Sequence, residues 1–254
     1  MRNIIKRMVL AFLLLMFASQ TYAEVYVVCA GVTKYSNPEF NLMFPAADAT
    51  TIAQFYNTFS NNVTLLRDQN ASHDNILKAL RTQFSKAKPD DMVVFFFSGH
   101  GGKGFLCPYD CTSSSGYLLY TEVFDIFRRC NALRKMIIVD ACLSGGMRIE
   151  RQTVNPNTNR PSSVVMFLSS RSNETSHDGN PDLGFKNGVF TTYLDVGLRG
   201  AADTNGDKYV TAKELFTYVS RKVAANSKNK QHPVMWGNFD DNFIMSNLRK
   251  LSNR

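Results

Sequence analysis

Two apolar runs, each breaking into glycines beside one reactive side chain, constrain this chain more than any other feature. The first is Met92-Val-Val-Phe-Phe-Phe-Ser98-Gly99-His100-Gly101-Gly102. The second is Lys135-Met-Ile-Ile-Val-Asp140-Ala141-Cys142-Leu143-Ser144-Gly145-Gly146. Neither alternates apolar with polar residues, so each reads as a strand buried on both faces, the signature of a parallel sheet covered by helices. In open α/β sheets, ligands gather at the carboxyl ends of the strands. A histidine delivered there by one strand and a cysteine by its neighbour point to nucleophilic catalysis.

The chain has 254 residues, enough for one large α/β domain with a full core. Residues 1–23 read as a targeting leader. Arg2, Lys6 and Arg7 form its positive start, Met8 to Ala18 its apolar stretch, and Thr21-Tyr22-Ala23 a cleavage site. The apolar stretch is shorter than the about 20 residues that span a bilayer. Cleavage after Ala23 is therefore expected, with residues 24–254 as the exported, periplasmic or secreted protein, holding no stable membrane association. Without the three basic leader residues the net charge of +8 becomes +5. No basic cluster with interleaved aromatics stands out, so no nucleic-acid role is assigned. Export implies an oxidising compartment, where an odd count of five cysteines leaves one unpaired if the others bridge. Cys107 and Cys111 are spaced for a local disulfide. Cys29 and Cys130 fit equally well as small buried hydrophobes. Cys142 is the thiol expected to stay free.

Along the chain, strands are expected at 25–30, 63–66, in the two runs above and at 164–168. Helices are expected at 46–59, at 72–84 behind a Ser72 cap, and at 121–130, 189–198 and 213–224. His73, in the first turn of the second helix, reads as a solvated surface histidine. Residues 105–119 read as a β-hairpin excursion, 171–187 and 203–211 as loops, and the tail around Trp236 and Phe243 as a final strand. Residues 150–163, with Asn155-Pro-Asn-Thr-Asn-Arg160-Pro, are polar and aperiodic and read as an exposed flexible loop. The strand–helix alternation indicates α/β architecture with a mostly parallel sheet.

Phe97-Ser98-Gly99-His100-Gly101 and Val139-Asp140-Ala141-Cys142-Leu143-Ser144-Gly145 resemble the two catalytic motifs of caspase-like cysteine peptidases, above all bacterial members and metacaspases. Val28 to Tyr35, Ala47-Asp48-Ala49, the segment 169–176, Val189-Phe190-Thr191 and Gln231-His232-Pro233 extend the likeness across residues 25–246. The resemblance implies a three-layer caspase-like sandwich with a mostly parallel central sheet flanked by helices. It also implies an endopeptidase with a peptide or protein substrate. Cys142 would be the nucleophile and His100 the general acid–base group, protonating the leaving amine. The backbone amides of Gly101 and Cys142 would hold the oxyanion.

In metacaspases, positions matching Asp48, Ser98 and Asp140 line the substrate pocket. A carboxylate pocket favours Arg or Lys before the scissile bond. One departure is Ala47, where the family usually has asparagine. The 148–163 stretch lies where the family has its processing linker and contains Arg151 and Arg160, so self-cleavage is expected there. Asp203, Asn205, Asp207, Tyr209 and Glu214 match the spacing of oxygen ligands in a calcium loop, with Lys208 where glycine is usual. Calcium is thus a candidate ligand, with a ligand-free turn that caps the next helix as the alternative, and no cofactor is required for the dyad chemistry. Two other classes remain open from the residues: a catalytically silent binding module, and a cysteine amidase acting on non-protein amides.

Overall fold

The computed structural model describes residues 23–142, 144–147, 154–176, 182 and 184–251. The leader up to residue 22 and residues 148–153 of the expected processing stretch lie outside them. Thirteen strands and five α-helices are formed among the described residues. In chain order they run β1 (Val25–Gly31), α1 (Pro45–Asn57), β2 (Asn62–Arg67), α2 (His73–Phe84) and β3 (Met92–Ser98). There follow β4 (Gly101–Gly102), β5 (Phe105–Leu106), β6 (Leu118–Leu119), α3 (Tyr120–Arg129) and β7 (Arg134–Asp140). Next come β8 (Val154–Asn155), β9 (Arg160–Pro161), β10 (Ser163–Leu168) and α4 (Val189–Val196). The chain closes with β11 (Tyr209–Thr211), α5 (Ala212–Asn226), β12 (Val234–Asn238) and β13 (Ile244–Asn247).

The main sheet has the order β12-β10-β7-β3-β1-β2. Every neighbouring pair is parallel except β10 and β12, so β12 runs antiparallel along one edge. The two apolar runs are its central strands. All of β3 is buried, and β7 is buried from Lys135 onward. Side chains alternate across a strand, so the faces divide cleanly. Val93, Phe95, Phe97, Ile137 and Val139 pack with α2 and α3 on one side. Val94, Phe96, Met136 and Ile138 pack with α1, α4 and α5 on the other. This is the three-layer sandwich with a mostly parallel sheet that the sequence predicts.

Local chemistry sets the element ends. The Ser72 hydroxyl accepts from the Asn75 amide and starts α2. Thr211 and Glu214 form a reciprocal capping box at the start of α5. The buried Lys135 spends its ammonium on the Phe127 carbonyl at 2.5 Å, satisfying a carbonyl near the end of α3.

Three stretches differ from the sequence expectation. The tail, expected as one final strand, forms two, β12 in the main sheet and β13 paired with β11. Residues 154–161 are not a structureless loop but a β8–β9 hairpin. Its Asn155 amide is buried and donates to the Cys130 carbonyl at 2.8 Å, while the Asn157 amide donates to the Arg129 carbonyl at 2.5 Å. Two side-chain amides thus do the docking that an apolar stripe would otherwise do. The loop at 203–211 ends in a third short strand, β11, which pairs with β13.

Candidate active site

β3 and β7 lie side by side with Ser98 opposite Asp140, the last residue of each strand. His100 and Cys142 each come two residues later. The ladder continues one step, with the Gly99 amide donating to the Asp140 carbonyl at 3.1 Å. A Cβ on Gly101 would stand 3.0 Å from the Ala141 Cβ and 3.2 Å from the Cys142 carbonyl oxygen. The histidine and cysteine segments therefore leave the sheet in contact, at its carboxyl end, with both reactive residues half-buried.

The loop after β1 frames His100. Gly99 has a φ of 155°, and a Cβ there would meet the Tyr35 hydroxyl at 2.7 Å. Only glycine fits that close turn. It allows the His100 amide to donate to the Tyr35 hydroxyl at 2.8 Å, and that hydroxyl in turn donates to the Cys107 carbonyl at 3.3 Å. The Cys107 amide closes the ring by donating to the His100 carbonyl at 2.9 Å. Because the ladder bond is made at His100, the paired Gly101 is a non-hydrogen-bonded position and its amide points away from β5. The imidazole Nε2 lies 2.9 Å from the Phe40 carbonyl oxygen. A carbonyl only accepts, so in this contact Nε2 carries the proton and Nδ1 is the basic nitrogen.

The cysteine turn is held from β10. The Ala141 amide donates to the Ser169 hydroxyl at 3.1 Å, and the Ser169 and Ser170 hydroxyls reach the Ala141 carbonyl at 3.3 and 3.2 Å. A Cβ on Gly145 would meet the Ser170 carbonyl oxygen at 2.6 Å, so glycine lets the two backbones close on each other.

Asp48, Ser98 and Asp140 come together beside this turn, as the resemblance implies. They line a narrow slot of about 60 Å³ with Leu42, Pro45 and Cys142. Asp48 Oδ1 accepts from the Asn187 side chain at 3.0 Å and the Gly188 amide at 2.9 Å, and its Oδ2 accepts from the Ser98 hydroxyl at 2.8 Å. Asp140 Oδ1 accepts from the Ser176 hydroxyl at 2.5 Å, and its Oδ2 from the Thr191 hydroxyl at 2.7 Å. Both carboxyl groups are buried. Burial, then the nearby Asp140 carboxylate, push Asp48 well above the ordinary carboxylate range. Burial likewise raises Asp140 against the hydroxyls that hold its charge.

The other sequence candidates lie apart from this slot. In the 203–214 loop, Asp203 accepts from the amides of Gly206 and Lys208, Asn205 from that of Asp207, and Asp207 from that of Tyr209. Lys208 has the φ of 72° that the sharp turn demands. Glu214, however, spends its oxygens on Thr204 and Thr211. Among the described residues no three acidic, histidine or cysteine side chains converge on a common point. No chemical step is assigned to a metal. All five cysteines are thiols, and Cys107 and Cys111 lie buried in the same apolar cluster. A larger cleft of about 580 Å³ between α2 and α3 holds neither His100 nor Cys142. His73 is partly buried rather than freely solvated, held between Asp74 at 3.0 Å and Glu122 at 3.2 Å.

Several site residues carry no single-residue signal in the sequence: Tyr35, Phe40, Ser176, Asn187, Gly188 and Thr191. Tyr35, Ser176 and Thr191 fall inside stretches that resemble the family, which marks the segment but not the role.

The profile of the caspase domain family matches residues 26–244. Among solved structures, protein GSU0716 from Geobacter sulfurreducens superposes with a TM-score of 0.63 at 15% identity, covering 89% of this chain and 98% of that one. Caspase-1 from Spodoptera frugiperda superposes at 0.62 with 16% identity, covering 84% of this chain and 86% of that one. At these identities the likeness is one of fold. A comparison with curated proteins finds no significant match.

Proposed function

This chain belongs to the caspase domain family, and we propose that it is an exported cysteine endopeptidase, using Cys142 and His100, that cleaves after Arg or Lys. The family makes it a cysteine-type peptidase with protein substrates. The residue-level reading rests on one observation: the Ser98–Asp140 register places both reactive residues at the same offset beyond adjoining parallel strands.

The chemistry follows from the groups in place. Cys142 Sγ attacks the scissile carbonyl carbon after passing its proton to the imidazole. His100, oriented through Nε2 by the Phe40 carbonyl, receives that proton on Nδ1 and returns it to the leaving amine. The amides of Gly101 and Cys142 donate to the oxyanion as it forms. Water then attacks the thioester, gives its proton to the imidazole and frees the thiolate. The buried carboxylates of Asp48 and Asp140, next to Cys142, suit a cationic side chain immediately before the cleaved bond.

The same preference extends to self-processing within 148–163. Arg160 lies in β9, paired to Asn155, with its guanidinium 3.2 Å from Asp90. Cleavage there requires the hairpin to open, so Arg151 is the preferred position. The leader at 1–23 supports export, and the amino-terminal sequence of the mature protein checks it.

Paired fluorogenic peptides ending in Arg, Lys and Asp test the proposal, with Cys142→Ala and His100→Ala as controls. Turnover of the Arg and Lys peptides, lost in both variants, is expected. Faster turnover of the Asp peptide refutes the pocket assignment. Turnover that survives Cys142→Ala refutes the dyad.

A further inference from the structure

Asp48 and Asp140 face one another across Gly188. A Cβ built on Gly188 would stand 3.0 Å from Asp140 Oδ2 and 3.3 Å from Asp48 Oδ2. The space between the two inward oxygens therefore exists because residue 188 has no side chain. The groups around the pair are unusual in sign. Asn187, the Gly188 amide and Ser98 serve Asp48, while Ser176 and the Thr191 amide and hydroxyl serve Asp140. All of these donors are neutral, and none brings the positive charge that two buried carboxylates ordinarily need. Among the described residues, the titratable groups facing the pair are the two carboxyls themselves and Cys142, which lines the same slot.

We propose that in the free enzyme the Asp48–Asp140 pair carries one proton, and that a cationic substrate side chain binds by expelling it. This rests on the reading of the slot as the specificity pocket. Two carboxylates so close in a dry site do not both ionise, as in other like-charged dyads. The inward oxygens, Asp48 Oδ2 and Asp140 Oδ2, also accept, from the Ser98 hydroxyl and from the Thr191 amide and hydroxyl, so the proton belongs to the pair as a whole and not to a direct bond across the gap. A guanidinium or ammonium entering the gap brings its own donors to both of those oxygens. The positive charge beside both groups favours their ionised forms, and the proton passes to solvent. The pocket goes from one negative charge to two, and the incoming cation brings the sum back to one. The elevated titration of both groups accords with this.

The consequence is a preference for cationic substrates that depends on pH. The measurement is kcat/KM for a pair of peptides differing only in Arg or citrulline before the scissile bond, across about pH 5.5 to 9. Taking the ratio cancels the titration of Cys142 and His100, which both peptides need alike. The Arg/citrulline ratio is expected to rise about tenfold per pH unit until the pair has released its proton, then to level off. In Asp48→Asn the ratio is expected to be lower and flat.

A second readout avoids turnover. Calorimetry of the Arg peptide binding to Cys142→Ala protein, in buffers of different ionisation enthalpy, is expected to show about one proton released at pH 6 and a smaller release at pH 9. An Arg preference that does not change with pH, or binding with no proton release at pH 6, overturns the shared proton while leaving the pocket reading intact. No Arg preference at any pH overturns the pocket reading itself, and the proton proposal with it.

Discussion

Tyr35→Phe removes one oxygen from a side chain that is only 4% exposed, and that oxygen joins three segments. It accepts from the His100 amide at 2.8 Å and donates to the Cys107 carbonyl at 3.3 Å. The Phe ring keeps the stacking against the imidazole, whose centroid lies 5.2 Å away, so the change is confined to two hydrogen bonds. Each net bond is worth about 1 kcal/mol, and a buried donor left unpaired costs about 1–3 kcal/mol, so a loss of about 2–3 kcal/mol in unfolding free energy is expected. The longer Cys107 bond accounts for the smaller part. Because the lost partner holds the backbone of His100 itself, the imidazole loses its fixed orientation. We therefore expect kcat to fall at least tenfold with KM nearly unchanged. Urea unfolding in a Cys142→Ala background gives the first quantity without self-digestion, and steady-state kinetics give the second. A variant within 0.5 kcal/mol of the parent, with unchanged kcat, would refute the view that Tyr35 orients His100.

Further outcomes follow from other contacts. Burial lowers the His73 pKa, but hydrogen bonds and charges from Asp74 and Glu122 outweigh it, so the net shift is upward. The tie between α2 and α3 is thus fully present below the unfolded histidine value of about 6.5 and is lost as pH rises through the raised folded value. His73→Gln should lower the melting temperature more at pH 5.5 than at pH 8.5; an equal drop at both refutes it. Thr211→Ala removes a capping hydroxyl from α5 and should cost about 1 kcal/mol in chemical unfolding. Calcium and chelator should leave the melting temperature unchanged, because Glu214 is already committed to that cap. A calcium-dependent rise contradicts this. The thiols of Cys107 and Cys111, buried in one cluster, should form one bridge in an oxidising glutathione buffer, a loop closure worth about 2 kcal/mol. Peptide mapping that finds both alkylated after such treatment contradicts it.

The central sheet was legible because burial on both faces removes the alternation from β3 and β7 and leaves only apolar runs. The glycine breaks placed His100 and Cys142 for the same reason. Tyr35 was not legible as a partner of His100, because the contact joins residues 65 apart and depends on how a loop crosses the strand ends. The β8–β9 hairpin was read as loop because Asn155 and Asn157 dock it by donating to carbonyls, which leaves no apolar period to see. Glu214 carries two readings at once. Thr211-x-x-Glu214 is a capping-box pattern as well as the end of a calcium-loop pattern, and the structure uses it as a cap. Asp48 and Asp140 were named as pocket residues by resemblance, but the gap that Gly188 leaves between them was not legible, since it depends on how α1 and β7 are brought together around the turn before α4.

Covalent labelling tests the central claim most directly: a peptide ending in an arginyl fluoromethyl ketone, added to the active protein and mapped by mass spectrometry. The dyad predicts one label per chain, on Cys142, forming at least a hundredfold more slowly in His100→Ala. A label on another cysteine, or a rate that His100→Ala leaves unchanged, would contradict it.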